Sequence, residues 1–350
     1  MRKIITNLQN KLLIKAILNI ILCFLVITTG FFSSFCAHAQ NSNPQTSNAS
    51  LLFLLLNDEK EIMVGDLSRR YIDYIPSSIP DNSPVVLVFH GSGSRASDFR
   101  KTMGPTLERM ADEKKFILVY MSGYEGHFND CRKKATYSAK LKNIDDIAFT
   151  KAILNKLKAE RNIKNSKIFA LGYSNGGQMT YRLALEAPEL VTGIIAISAN
   201  VPAPENMDCF VNEAYEPYVA IIQGTNDPIN PTMGGDVNIG GKASRGKVLS
   251  TKESAEWFVS RYGIEESPES ANISQKRNLS ARKQVWKGKS SKIVLILLEG
   301  AGHTIPQEYF PFSIALGPTY QDNSILEYTW DFLNKEEKKV EAPIESEPSK

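Results

Sequence analysis

Leu171-Gly172-Tyr173-Ser174-Asn175-Gly176-Gly177 follows a short, mostly apolar run, Lys167 to Ala170, and leads into a stretch of helical composition, Gly177 to Ala187. Gly172, Ser174 and Gly176 occupy the fixed positions of the pattern G-x-S-x-G. A serine on a tight, strained turn between strand and helix projects its hydroxyl away from the sheet. Glycines two residues to either side remove the side chains that would clash where the backbone folds back. Two glycines around a serine also occur by chance in loops, so the flanking elements decide. Here they read as strand before and helix after, which makes Ser174 a candidate nucleophile.

Outward from this turn, apolar runs alternate with amphipathic segments. Val85 to Phe89, Phe116 to Met121, Gly193 to Ser198, Val219 to Ile222 and Lys292 to Leu298 are too short and too apolar for helices and read as buried strands. Between them, Ser97 to Lys115, Asp145 to Glu160, Ser254 to Tyr262 and Ile325 to Leu333 carry helical spacing. Strands of this kind between helices predict an α/β fold, a mostly parallel central sheet covered by helices on both faces in a single domain. Leu51 to Ile75 adds two or three strand-like runs, and Pro231 to Glu253, with Gly-Gly twice, reads as a long loop or insertion over the top of the sheet.

The ends are of different material. Residues 1–39 hold Arg2, Lys3, Lys11 and Lys15 without an acid, then an apolar stretch to about Phe35, then Ala37-His38-Ala39. This is the build of a secretory signal cleaved before Gln40, the alternative being a retained membrane anchor. Residues 40–50 read as a flexible leader, 51–334 as the catalytic domain and 335–350 as a disordered tail. Taking the four basic residues of the leader from the net +3 leaves −1, so charge implies no nucleic-acid partner. After cleavage no stable membrane insertion is expected, and the chain is assigned to the periplasm or the exterior. Cys131 and Cys209 then remain as the only thiols, and an oxidising compartment makes a disulfide between them reasonable. No C-x-x-C pair or histidine-rich tract suggests a metal, and no cofactor is called for.

A serine hydroxyl needs a base, and that base needs an orienting group. In hydrolases with this serine turn the chain order is Ser, then Asp or Glu, then His. Outside the leader the histidines are His90, His127 and His303, and His303 alone follows Ser174. Asp227, in Gly224-Thr225-Asn226-Asp227-Pro228 after a strand, is the best-placed acid, ahead of Asp208 and Asp236. The oxyanion of the reaction needs preorganised N–H groups. Asn175, next to the nucleophile, supplies one, and Ser92 in His90-Gly91-Ser92-Gly93 the other, with Gly91 as the alternative. His90 reads as a residue that orients this loop, not as a base.

At this point the chain resembles the secreted poly(3-hydroxybutyrate) depolymerase and feruloyl esterase-like branch of the α/β-hydrolases. The matching pieces run in order: His90 to Gly93, Phe128-Asn129-Asp130, Asp145 to Phe149, Gly172 to Gly177, Gly224 to Pro228, Gly302-His303-Thr304 and Leu316 to Thr319. The resemblance implies a cofactor-free serine esterase with Ser174, Asp227 and His303 as its triad. Phe128 and Ile305 stand where that branch often has tryptophan, and Asn226 where a small or acidic residue is usual, so the acyl pocket departs from the pattern. The substrate expected is a small or oligomeric ester. A serine peptidase on the same scaffold and a non-catalytic binding protein are the alternatives. The segment after Leu333 is too short for a polymer-binding domain, which favours soluble hydroxyalkanoate oligomers or aryl and acetyl esters.

Overall fold

A computed structural model describes residues 59–335, apart from 241, 277 and 278. The expected signal, the leader and the tail beyond residue 335 lie outside the described residues. The central feature is a ten-stranded sheet. Its middle consists of β3 (Val85–Phe89), β4 (Ile117–Met121), β5 (Ile168–Tyr173), β6 (Gly193–Ile197), β7 (Tyr218–Gly224) and β12 (Lys292–Leu298). These lie parallel in the order β4-β3-β5-β6-β7-β12. Two antiparallel pairs flank them: β1 (Lys60–Val64) with β2 (Leu67–Tyr74), and β10 (Glu269–Lys276) with β11 (Leu279–Lys287).

The apolar runs follow from burial on both sides. Val85, Leu87 and Phe89 point into one layer, and Val86 and Val88 into the other. The first layer is closed by α3 (Asp146–Glu160), α4 (Asn175–Glu186) and α5 (Thr251–Arg261), through Phe149, Ile153, Met179, Leu183 and Phe258. The second is closed by α1 (Ala96–Lys114) and α6 (Ser324–Asn334), through Phe99, Met103, Leu107, Ile325 and Trp330. Alternate residues of one strand thus serve opposite cores, which leaves no polar face for the sequence to display. A short helix, α2 (Ser138–Leu141), lies in the crossover between β4 and α3.

Two strand pairs go beyond what was read from sequence. The stretch read as a loop or insertion, Pro231 to Glu253, contains an antiparallel hairpin, β8 (Gly235–Ile239) and β9 (Lys242–Val248). Its strands are mainly polar, with Val237 buried between exposed Asp236 and Asn238, so the apolar signal of a strand is weak. The paired strands β10 and β11 were also absent from the sequence reading. β10 is the edge strand, and β11 beside it mixes buried Ala281, Val285 and Trp286 with exposed Arg282 and Lys287, so no unbroken apolar run marks either. The α5 start is set by a capping box, Ser250 Oγ accepting from the Glu253 N–H while Glu253 accepts from the Ser250 N–H.

Candidate active site

Ser174 lies between the end of β5 and the first residue of α4, with φ 54° and ψ −114°. Positive φ is costly for a residue with a Cβ, and it persists where the surroundings enforce it. Here the Ser174 N–H donates to the Ile197 carbonyl at 2.9 Å, and the Ser174 carbonyl accepts from Gln178 at 3.0 Å. The glycines are required by contact. A side chain on Gly172 would strike the Gly176 carbonyl, and one on Gly176 would strike those of Phe89 and His90.

His303 lies in the loop beyond β12, and its Nε2 is 2.9 Å from Ser174 Oγ. Its Nδ1 is 2.7 Å from Asp227 Oδ2. A carboxylate only accepts, so Nδ1 carries the proton there and Nε2 is left to accept from the serine hydroxyl. Asp227, beyond β7, has a fully buried carboxylate with four donors on it. Oδ1 accepts from the N–H groups of Ile229 and Asn230, both at 2.8 Å, and Oδ2 also accepts from Gln223 Nε2 at 2.9 Å. Asn230 Nδ2 in turn donates to Gln223 Oε1 at 3.2 Å. Neither Gln223 nor Asn230 was singled out from sequence. A glutamine inside the apolar run Tyr-Val-Ala-Ile-Ile-Gln-Gly was the available signal.

The competing acids are elsewhere. Asp208 pairs with Lys140 at 2.5 Å with its side chain partly exposed, and Asp236 is exposed on β8.

Asn175 opens α4, so its N–H is among those a helix leaves without an internal acceptor. Ser92 follows Gly91 in the loop after β3 and is exposed. Gly91 is close enough that a Cβ there would lie 3.5 Å from Ser174 Cβ, which brings this loop against the nucleophile. His90 is wholly buried and makes two hydrogen bonds. Its Nδ1 donates to the Gly91 carbonyl at 2.7 Å, and its Nε2 accepts from the Gly123 N–H at 2.9 Å. The Gly91 carbonyl and the Ser92 N–H belong to one peptide plane and point opposite ways. Holding the carbonyl therefore sets the direction of the N–H. Burial lowers the His90 pKa to about 4, so the ring is neutral near pH 7.

Behind the loop, Phe128 packs on His90, with ring centroids 4.7 Å apart, and edge-on against Phe89 at 5.2 Å. Asp130 is buried and accepts from Arg132, Tyr137 and Asn175. Burial acts to raise its pKa, but the Arg132 charge and the hydrogen bonds outweigh it and hold the carboxyl below its ordinary value. Cys131 and Cys209 are joined in a disulfide, Cα–Cα 5.0 Å, linking the loop beyond β4 to that beyond β6. Among the described residues no three His, Cys, Asp or Glu side chains gather into a metal-binding group.

Comparison with known proteins points the same way as the fold. The Phospholipase/Carboxylesterase family matches residues 72–238. NocK of Nocardia uniformis subsp. tsuyamanensis, an esterase by name, is 27% identical over 295 residues, covering 78% of this chain and 81% of that protein. Feruloyl esterase B of Thermothelomyces thermophilus is 28% identical over 127 residues, 35% of this chain and 40% of its own length. The bifunctional acetylxylan esterase/xylanase XynS20E of Neocallimastix patriciarum is 26% identical over 157 residues, 45% of this chain and 21% of its own length. The chain thus matches less than half of each of these last two proteins. Among solved structures, acetyl xylan esterase from Aspergillus awamori superposes with a TM-score of 0.50 at 16% identity, over 72% of this chain and 96% of that one.

Proposed function

We propose that this chain, a carboxylic-ester hydrolase of α/β-hydrolase fold, works through Ser174, His303 and Asp227 as nucleophile, base and orienting acid. The observation that carries this reading is the unbroken run of hydrogen bonds from Ser174 Oγ through His303 to the buried Asp227 carboxylate. Ser174 Oγ attacks the ester carbonyl as His303 Nε2 takes its proton. The resulting oxyanion is met by the N–H groups of Asn175 and Ser92. Collapse of the tetrahedral species expels the alcohol, which His303 protonates, and leaves an acyl group on Ser174. Water then gives a proton to His303 and attacks the acyl carbonyl, and collapse of that species returns the proton to Ser174 Oγ and releases the acid.

The substrates proposed are soluble esters: hydroxyalkanoate oligomers, as for poly(3-hydroxybutyrate) depolymerases, or aryl and acetyl esters. The activities for which its feruloyl and acetylxylan esterase relatives are named favour the last two. Export to the periplasm or exterior is proposed with it, supported by the Ala37-His38-Ala39 leader and the Cys131–Cys209 disulfide. Purified protein assayed on p-nitrophenyl acetate, hydroxybutyrate oligomers, feruloyl esters and acetylated xylan tests the reading. Hydrolysis lost in Ser174→Ala supports it, and hydrolysis retained at wild-type rate overturns it.

A further inference from the structure

The side chain just before Ser174 is turned inward and touches two other parts of the site. The Tyr173 hydroxyl donates to the main-chain carbonyl of His303 at 2.7 Å, and its ring lies tilted beside the imidazole, centroids 5.3 Å apart. The same ring fills the space left by Gly91, where a Cβ would come within 2.9 Å of Tyr173 Cδ1. Phe99, stacked at 6.3 Å, and Phe312, tilted at 6.1 Å, flank the ring. Burial pushes the phenol pKa well up, so the hydroxyl stays protonated and remains a donor.

The His303 main chain is thereby held at both polar groups, since its N–H donates to the Leu316 carbonyl at 2.6 Å. We propose that Tyr173 is a positioning residue that fixes the imidazole of His303 and the Gly91–Ser92 peptide relative to one another and to Ser174. This rests on the reading of Ser174 and His303 as nucleophile and base. The proton must cross from Ser174 Oγ to a nitrogen 2.9 Å away, along a line set by where the His303 backbone sits. Without the phenol a buried carbonyl loses its donor and shifts to find another. Misplacement of a reacting group by an ångström can cost about a hundredfold in rate, so small shifts matter here.

Tyr173→Phe keeps the ring and deletes the hydroxyl alone. The expected result is a kcat on p-nitrophenyl acetate lower by roughly 5- to 50-fold, with KM changed less than about twofold. Labelling of Ser174 by a sulfonyl fluoride should slow in parallel. Tyr262→Phe is the control, because its buried hydroxyl also donates to a carbonyl, that of Pro217 at 3.0 Å, just before β7 begins. It should lose similar stability and keep wild-type kcat. Gly91→Ala presses on the Tyr173 ring from the other side, and combined with Tyr173→Phe it should cost less than the product of the two effects. Wild-type kcat in Tyr173→Phe, an equal fall in Tyr262→Phe, or full multiplication in the double variant overturns the inference. Activity surviving in Ser174→Ala would instead remove the reading beneath it.

Discussion

Asn175 grips Phe128 by both of its main-chain polar groups: Oδ1 takes the Phe128 N–H at 2.8 Å, and Nδ2 gives to the Phe128 carbonyl at 3.0 Å. Nδ2 also donates to Asp130 Oδ2 at 2.7 Å. The residue after the candidate nucleophile thus ties the serine turn to the loop that packs on His90. Its side chain has this task whether or not its N–H meets an oxyanion.

Replacing Asn175 with alanine strips these partners from groups that stay buried. Each such loss costs on the order of 1–3 kcal/mol, so the variant should unfold in urea with about 3 kcal/mol less stability. Asn175→Asp should be worse at pH 8, since it sets a second carboxylate against buried Asp130. An aspartate variant more stable than the alanine one at that pH would mean the bond to Asp130 contributes little.

The Cys131–Cys209 disulfide joins residues 78 apart in the chain. In the loop-entropy account a closure of that size removes freedom from the unfolded chain worth about 4.5 kcal/mol, of which native strain and residual structure commonly take back a part. Cys131→Ser/Cys209→Ser should therefore lower unfolding stability by roughly 2–4 kcal/mol. Thiol labelling of denatured, unreduced protein checks the bond itself, and two reactive thiols per chain would contradict it.

The sequence disclosed the parts of this fold whose chemistry is local. Val85–Phe89 and Ile168–Tyr173 are buried on both faces and so carry unbroken apolar runs. Ser174 stood out because its turn needs glycines, and His303 because no other histidine follows that turn. What stayed hidden depends on distance. Nothing local links Asn175 to Asp130 or Tyr173 to His303, which lie 45 and 130 residues apart. Gln223 looked like a polar interruption of a strand, and its use became visible only with Asp227 beside it. Strands β8 to β11 are built mainly of polar residues and so lack the apolar pattern by which strands are recognised.

Acid should weaken the fold through His90. An exposed histidine titrates near 6.5, whereas burial lowers the folded value to about 4, with the hydrogen bond to the Gly91 carbonyl and Asp98 opposing and His127 and Arg69 adding to the fall. The sign follows from linkage. Below about pH 6.5 the unfolded chain gains a proton that the native ring refuses, so stability present above that pH is lost as pH drops toward 4. The loss amounts to about 3 kcal/mol on this shift. The added proton would go to Nε2, which accepts from Gly123, so acid also releases the loop beside the site. Urea unfolding at several pH values should give a steeper decline between pH 6.5 and 4 for the native protein than for His90→Asn. Parallel profiles would assign the acid sensitivity elsewhere.

The reaction itself should depend on Ser174, His303 and Asp227 as a unit. Ser174→Ala or His303→Ala should each lower kcat by roughly 10³-fold or more, and the double variant little further, because such residues are strongly non-additive. Asp227→Asn tests the orientation of the imidazole with almost no change of shape. One amide orientation sets its NH₂ against Gln223 Nε2 and the His303 Nδ1 proton, and the other sets it against the N–H groups of Ile229 and Asn230. Either way donor faces donor: the first orientation takes from the ring the acceptor that keeps its proton on Nδ1, and the second leaves it only a neutral oxygen. A fall in kcat of roughly 10²- to 10⁴-fold is expected, with KM little altered. A sulfonyl fluoride should label Ser174 in the native enzyme and leave His303→Ala largely unmodified. Wild-type turnover in Asp227→Asn would show that another group orients His303, and the role given to Asp227 would fall.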